Sequence, residues 1–279
     1  MLNFFNAHVS ETHIRLRDRL WLYVFSIIVL FLLIVPSLVV IPMSFSDSQY
    51  LEFPPKNWSL RWYENYFSSG QVGMGFNDWL GATWTSVKVA VLTIFVATPL
   101  GTMAAYGLIN SSSKLRSVLF PVMISPMIIP VILVAIGLFY FYVKFRMVDS
   151  LLGLVLGHSL VAMPLVLIIV LAGLKNYDMN QEKVARSLGA SRLRAFFEIT
   201  LPQIKFSIVS ACLISFLTSF DEVIISLFVA GGDNSTITRA MFLALRDQID
   251  PTIAAISTIL IIISSGLLLL VQLFGTKKE

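Results

Sequence analysis

Six stretches of this chain are apolar for about 20 residues or more, and nothing else in the sequence constrains the fold as strongly. They lie at roughly 21–44, 84–109, 118–143, 151–174, 204–230 and 252–274. A helix needs about 20 mainly apolar residues to cross the hydrocarbon core of a bilayer. There every backbone N–H and C=O must be bonded internally, which favours helices for stretches of this length. The expected fold is an all-α membrane protein with six transmembrane helices. Composition agrees, since 57% of the 279 residues are hydrophobic and 13% are charged. A soluble domain usually carries about 25% charged residues. Arg15, Arg17 and Arg19 precede the first stretch, as in a signal peptide. That stretch exceeds the roughly 7–15 apolar residues of a cleaved leader, so it is read as a retained helix.

An even number of spans puts both ends on one side, and basic residues mark the cytoplasmic side. With the ends cytoplasmic, the inner segments hold 13 Lys and Arg residues and the outer segments hold 6, with Lys88 inside the second span. The N- and C-termini are therefore expected in the cytoplasm. Residues 1–20 form a cytoplasmic N-terminal segment, and 21–279 form the membrane domain. The loop at 46–81 lies outside, and its Trp58, Trp62, Tyr63, Tyr66 and Trp79 suit an aromatic belt at the interface. The excess of 20 basic over 16 acidic residues is too small to suggest nucleic acid. A lone Cys212 excludes an internal disulfide. His8, His13 and His158 are scattered, and no G-x-x-x-x-G-K-[ST] phosphate loop occurs. The chain is thus read as a non-enzyme without a cofactor or metal of its own.

The longest inner connection, at 176–203, is patterned. Asp178 has the position of an N-cap, with Gln181 three residues on. Gly189 stands where a left-handed residue ends a helix. Ser191 can cap a second helix through Phe197 or beyond, and Pro202 opens the entry to the fifth span. Small residues (Ala185, Gly189, Ala190) alternate with bases (Arg186, Arg192, Arg194). Such a surface suits either a docking element whose bases meet carboxylates or an interfacial helix pair holding anionic lipid.

This segment closely resembles the coupling loop, or EAA loop, of ATP-binding-cassette (ABC) importer permeases. That loop reads Glu-Ala-Ala, a Gly a few residues on, then Ile-x-Leu-Pro. Here Glu182, Lys183, Val184, Ala185 and Arg186 lead to Gly189 and Ala190, and Ile199, Thr200, Leu201 and Pro202 close the pattern. Lys183 stands at the usual glutamate position, with Glu182 one place earlier, and Val184 replaces the first alanine. The resemblance implies a type I, MetI-like importer permease in a bacterial inner membrane. It implies two ATP-binding subunits that hold ATP and Mg, a second permease subunit and a periplasmic solute-binding protein. Glu182, Lys183, Ala185, Arg186, Gly189, Ala190, Leu201 and Pro202 would then couple the chain to an ATPase.

In the fifth stretch, Ser207, Ser215, Thr218, Ser219, Glu222 and Ser226 fall on one helical stripe, and Asp221 lies about 100° away. Ionisable groups at that depth mark function by default. Either the stripe lines a solute path, with Asp221 and Glu222 attracting a cation, or it packs on another span with the acids neutralised by Lys88 or His158. The stretches Phe220-Asp221-Glu222-Val223, Ser59-Leu60-Arg61-Trp62-Tyr63 and Ala105-Tyr106-Gly107-Leu108 resemble the spermidine/putrescine branch of these permeases. That branch implies a polyamine solute and a heterodimeric membrane pair. Related branches carry 4-aminobutyrate, opines, iron, thiamine or phosphonates. From another class, a proton-coupled secondary transporter would use Asp221 and Glu222 as proton carriers.

Overall fold

The computed structural model describes residues 20–69, 78–247 and 250–275. The cytoplasmic segment expected at 1–20, with its three arginines, lies outside the described residues apart from Leu20, as do Lys277 and Lys278. The order of elements is α1 (Leu20–Met43), α2 (Arg61–Ser68), α3 (Trp79–Ile109), α4 (Ser113–Ile128), α5 (Val131–Phe145) and α6 (Leu151–Asn176). There follow α7 (Asn180–Ser187), α8 (Arg192–Ala195), a π-turn (Phe196–Thr200), α9 (Leu201–Gln203), α10 (Lys205–Phe220), α11 (Ile224–Val229), a 3₁₀ turn (Gly232–Asn234), α12 (Ile237–Asp247) and α13 (Thr252–Gly275). The described residues are helical almost throughout, with one isolated backbone bridge, Ser46 to Trp58.

The described residues form two compact units. One contains α1, the loop through Tyr63 and Pro251–Ile261. Within it Ser44 Oγ lies 2.7 Å from the Tyr63 hydroxyl, and the Phe45 ring packs on Tyr63 at 5.2 Å. The other unit, Glu64–Asp250 with the remainder of α13, holds the larger core.

That core is α3, α6 and α10 packed side by side. Ala97 and Ala105 of α3, Ala162, Val166, Leu167 and Val170 of α6, and Ala211 of α10 are all fully buried there. Small residues set the spacing, since lipid tails give apolar helices no reason of their own to leave them and close backbone approach must supply the attraction. At Gly173 a Cβ would sit 2.2 Å from Ser207 Oγ, so α6 and α10 can meet only because that position lacks a side chain.

Among the described residues, three helices are long and apolar enough to cross a membrane: α1, α3 and α6. Two further candidates are bent pairs, α4 with α5 at 93° and the 192–203 segment with α10 at 80°. A shorter apolar helical stretch, Thr252–Gly266, belongs to α13. Two expectations of continuous helix are therefore corrected. The 118–143 stretch breaks at Ile129 and Pro130, because a proline lacks the N–H and its ring clashes one turn back. The 204–230 stretch breaks at Asp221, Glu222 and Val223.

Candidate functional site

The candidate loop at 176–203 folds as two short helices around a tight turn. The N-cap expected at Asp178 is corrected: Met179 precedes α7, and Asp178 Oδ1 accepts from the Asn180 N–H at 3.0 Å in the turn before it. At the far end Gly189 has φ +98°. Its N–H bonds the Arg186 carbonyl and that of Ala190 bonds the Ala185 carbonyl, which is the paired bonding of a Schellman end. Ser191 then caps α8 by accepting from the Arg194 N–H at 3.2 Å. The second helix does not run on regularly as expected: α8 gives way at Phe196 to the π-turn, whose last bond runs from the Leu201 N–H to the Phe196 carbonyl. Leu201 and Pro202 form α9, and the chain turns through Ile204 into α10.

The two faces of this loop differ sharply. Outward, Val184, Leu188, Leu193 and Phe197 are exposed, Leu188 to 84%. Lys183, Arg186 and Arg192 are exposed among them, while Ala185 and Ala190 are half-buried. Arg194 already pairs with Glu198 at 3.0 Å, an exposed helical pair of little energetic weight. Lys183 Nζ reaches Asn180 Oδ1 at 3.3 Å.

Inward, the face carries a carboxylate. Glu182 is only 2% exposed. It accepts a short bond from the Tyr106 hydroxyl at the end of α3 and another from Thr200 Oγ1 at 2.6 Å. Removing a carboxylate from water is costly unless charge-assisted bonds replace the lost hydration. The Tyr106 ring is also held edge-on by Phe196 at 4.8 Å. Beside this node, burial pushes the Tyr177 hydroxyl above its ordinary range, so it stays protonated. The sequence marked these residues separately but not their meeting: Tyr106 lies 76 residues from Glu182, and no local pattern announces the pairing.

The second candidate lies at the break after α10. Asp221 ends α10 and is exposed, and its carboxylate has no protein partner among the described residues. Glu222 behaves differently. Its Oε1 accepts from the N–H groups of Ile224 and Ile225 at 2.9 and 3.0 Å, capping α11. The Glu222 carbonyl, freed by the break, accepts from Ser226 Oγ and from Thr238 Oγ1 of α12. Irregular backbone at membrane depth persists where such groups are satisfied internally.

Of the serines on the stripe, Ser215, Ser219 and Ser226 are buried and Ser207 is half-buried. His158 of α6, 1% exposed, places Nδ1 2.9 Å from Ser219 Oγ and Nε2 3.2 Å from Ser226 Oγ. Ser219 also donates to Thr93 Oγ1 of α3 at 3.2 Å. His158 thus braces α10 and α11 across the break. It contacts these hydroxyls rather than the acid pair. Ser215 is buried with its hydroxyl unpaired, and Thr218 is half-buried. Lys88 Nζ lies over the Trp84 ring at 5.9 Å, away from any described carboxylate contact.

These features fit the comparisons with known proteins. Residues 97–277 match the family described as "Binding-protein-dependent transport system inner membrane component". The spermidine/putrescine transport system permease protein PotC of Haemophilus influenzae is 27% identical over 91% of this chain and 96% of its own. The putrescine transport system permease protein PotI of Escherichia coli K12 is 28% identical over 81% of this chain and 80% of its own. Among solved structures, a bacterial ABC transporter involved in the import of the acidic polysaccharide alginate shares the fold, with a TM-score of 0.65 at 12% identity over 96% of this chain and 99% of that one. An amino acid ABC transporter gives 0.54 at 20% identity over 72% and 94%. The chain therefore belongs to the family of binding-protein-dependent transport system inner membrane components.

Proposed function

We propose that this chain is a permease subunit of an ATP-driven importer for a small organic cation of the polyamine class. The observation that carries the solute class is Asp221: an exposed carboxylate without a protein partner among the described residues, at a break in an apolar helix. A charge at such depth is expensive unless it faces water, protein or a counter-ion. An alkylammonium supplies that counter-ion. The named functions of the PotC and PotI relatives, which are matched over 80–96% of their lengths, support the same class.

In this reading five apolar elements, two of them bent, cross the membrane together with α13, and both termini are cytoplasmic. The partners are a second permease subunit in a heterodimer, two ATP-binding subunits carrying ATP and Mg, and a periplasmic solute-binding protein. The outer face of the 176–203 loop meets an ATPase through Lys183, Arg186, Leu188 and Arg192. Ala185, Gly189 and Ala190 keep the turn compact, and Leu201 and Pro202 turn the chain toward α10. Asp221 contacts the solute, with Thr218 beside it. Glu222, Ser215, Ser219 and Ser226 shape the break that presents it.

The test is uptake of labelled putrescine and spermidine by the assembled complex with Asp221→Asn. Uptake should fall at least tenfold, the factor for about 1.4 kcal/mol of lost interaction, with assembly retained. Unchanged uptake of both polyamines would remove Asp221 from the path.

A further inference from the structure

In the reading just proposed, on which this inference rests, the loop must both hold an ATPase and move the spans. Its exposed bases and apolar side chains serve the first task. The buried face has a different and specific chemistry.

Glu182 joins three parts of the chain. Its own helix, α7, lies on the loop. Tyr106 lies in the last turn of α3, and Thr200 ends the π-turn that leads through α9 into α10. Both α3 and α10 belong to the three-helix core. Among the described residues no salt bridge reaches Glu182, so it is bound by hydroxyls alone. A carboxylate only accepts, and two donors from different elements fix it in two directions. The π-turn belongs to the same device. It carries Phe196 and Thr200 on one inward face, one against the Tyr106 ring and the other on the Glu182 carboxylate. Such π-bulges concentrate at functional positions. The adjacent Lys183 is exposed and bonds only within its own turn.

We infer that Glu182 is a positioning residue, the internal pin through which movement of the coupling loop is carried to α3 and α10, rather than a contact of the ATPase. Coupling of this kind needs a rigid joint between the moved element and the moving helices. Apolar packing at this place would allow the loop to slide over α3. Two bonds to one buried carboxylate do not.

The experiment uses the full complex with its ATPase and binding protein, and measures solute imported per ATP hydrolysed. Tyr106→Phe keeps the ring and its contact with Phe196 but removes one bond, and Thr200→Val removes the other. Each should lower the import-to-ATP ratio about fivefold, with the ATPase still co-purifying. Glu182→Ala should lower it further, and Tyr106→Phe should then add nothing. Glu182→Gln keeps one acceptor and should recover part of the ratio. An unchanged ratio in both hydroxyl variants would overturn the inference. Release of the ATPase by Glu182→Ala, with Tyr106→Phe coupling normally, would also overturn it by making Glu182 a direct contact. If Glu182→Ala does not assemble, the two hydroxyl variants decide alone. A wild-type complex that imports nothing on ATP would instead refute the parent reading.

Discussion

At the scale of single residues, adjacent acids divide their work. Asp221 and Glu222 are both acids at adjacent positions, yet among the described residues the first has no protein partner and the second caps a helix. Glu222→Ala should therefore lower stability by about 0.5–2 kcal/mol, the range for a lost cap, seen as a lower thermal midpoint of the purified complex. Asp221→Asn should leave that midpoint almost unchanged. His158→Ala should cost about 1–3 kcal/mol by the same assay, because Ser219 and Ser226 lose a buried partner. A midpoint equal to wild type would show that His158 is not a brace. The sequence put Ser219 and Ser226 on one stripe and offered His158 as a partner for the acids. It could not show that His158 meets these serines, since 61 and 68 residues separate them.

Among elements, the loop at 176–203 was the most legible part of the chain. Gly189 at a helix end and Ser191 as a cap are local signals, and the structure has both. The glycine's φ of +98° lies where side chains are strained, and nothing lies within 4 Å of an added Cβ. The cost of Gly189→Val is thus conformational, about 1–3 kcal/mol, and falls on the turn itself. Transport should drop while the permease still inserts, which quantitative immunoblotting of membranes alongside uptake will check. The break in the fifth apolar stretch was not legible. Helical periodicity continues through Asp221 and Glu222, and only tertiary partners such as Thr238 and His158 make the interruption affordable. The bend between α4 and α5 had a local sign in Pro130, though a proline does not announce an angle of 93°.

For the molecule as a whole, apolar periodicity and the count of bases specify a polytopic helical protein, and the family match agrees. The 24 residues of α1 include none that is buried. Orientation is testable through the lone Cys212. In a Cys212→Ser background, a cysteine at Ser187 should react with an impermeant maleimide only from the cytoplasmic side, and one at Ser235 only from the periplasmic side. The opposite pattern would invert the topology.

The central claim is ATP-driven import of a polyamine through this chain. The most direct measurement is uptake of labelled putrescine and spermidine into proteoliposomes carrying the chain with its second permease subunit and ATPase, and with binding protein outside. The account predicts uptake that requires both ATP inside and binding protein outside, and that persists with a protonophore present. Uptake by the chain alone without ATP, or abolished by the protonophore, would contradict it.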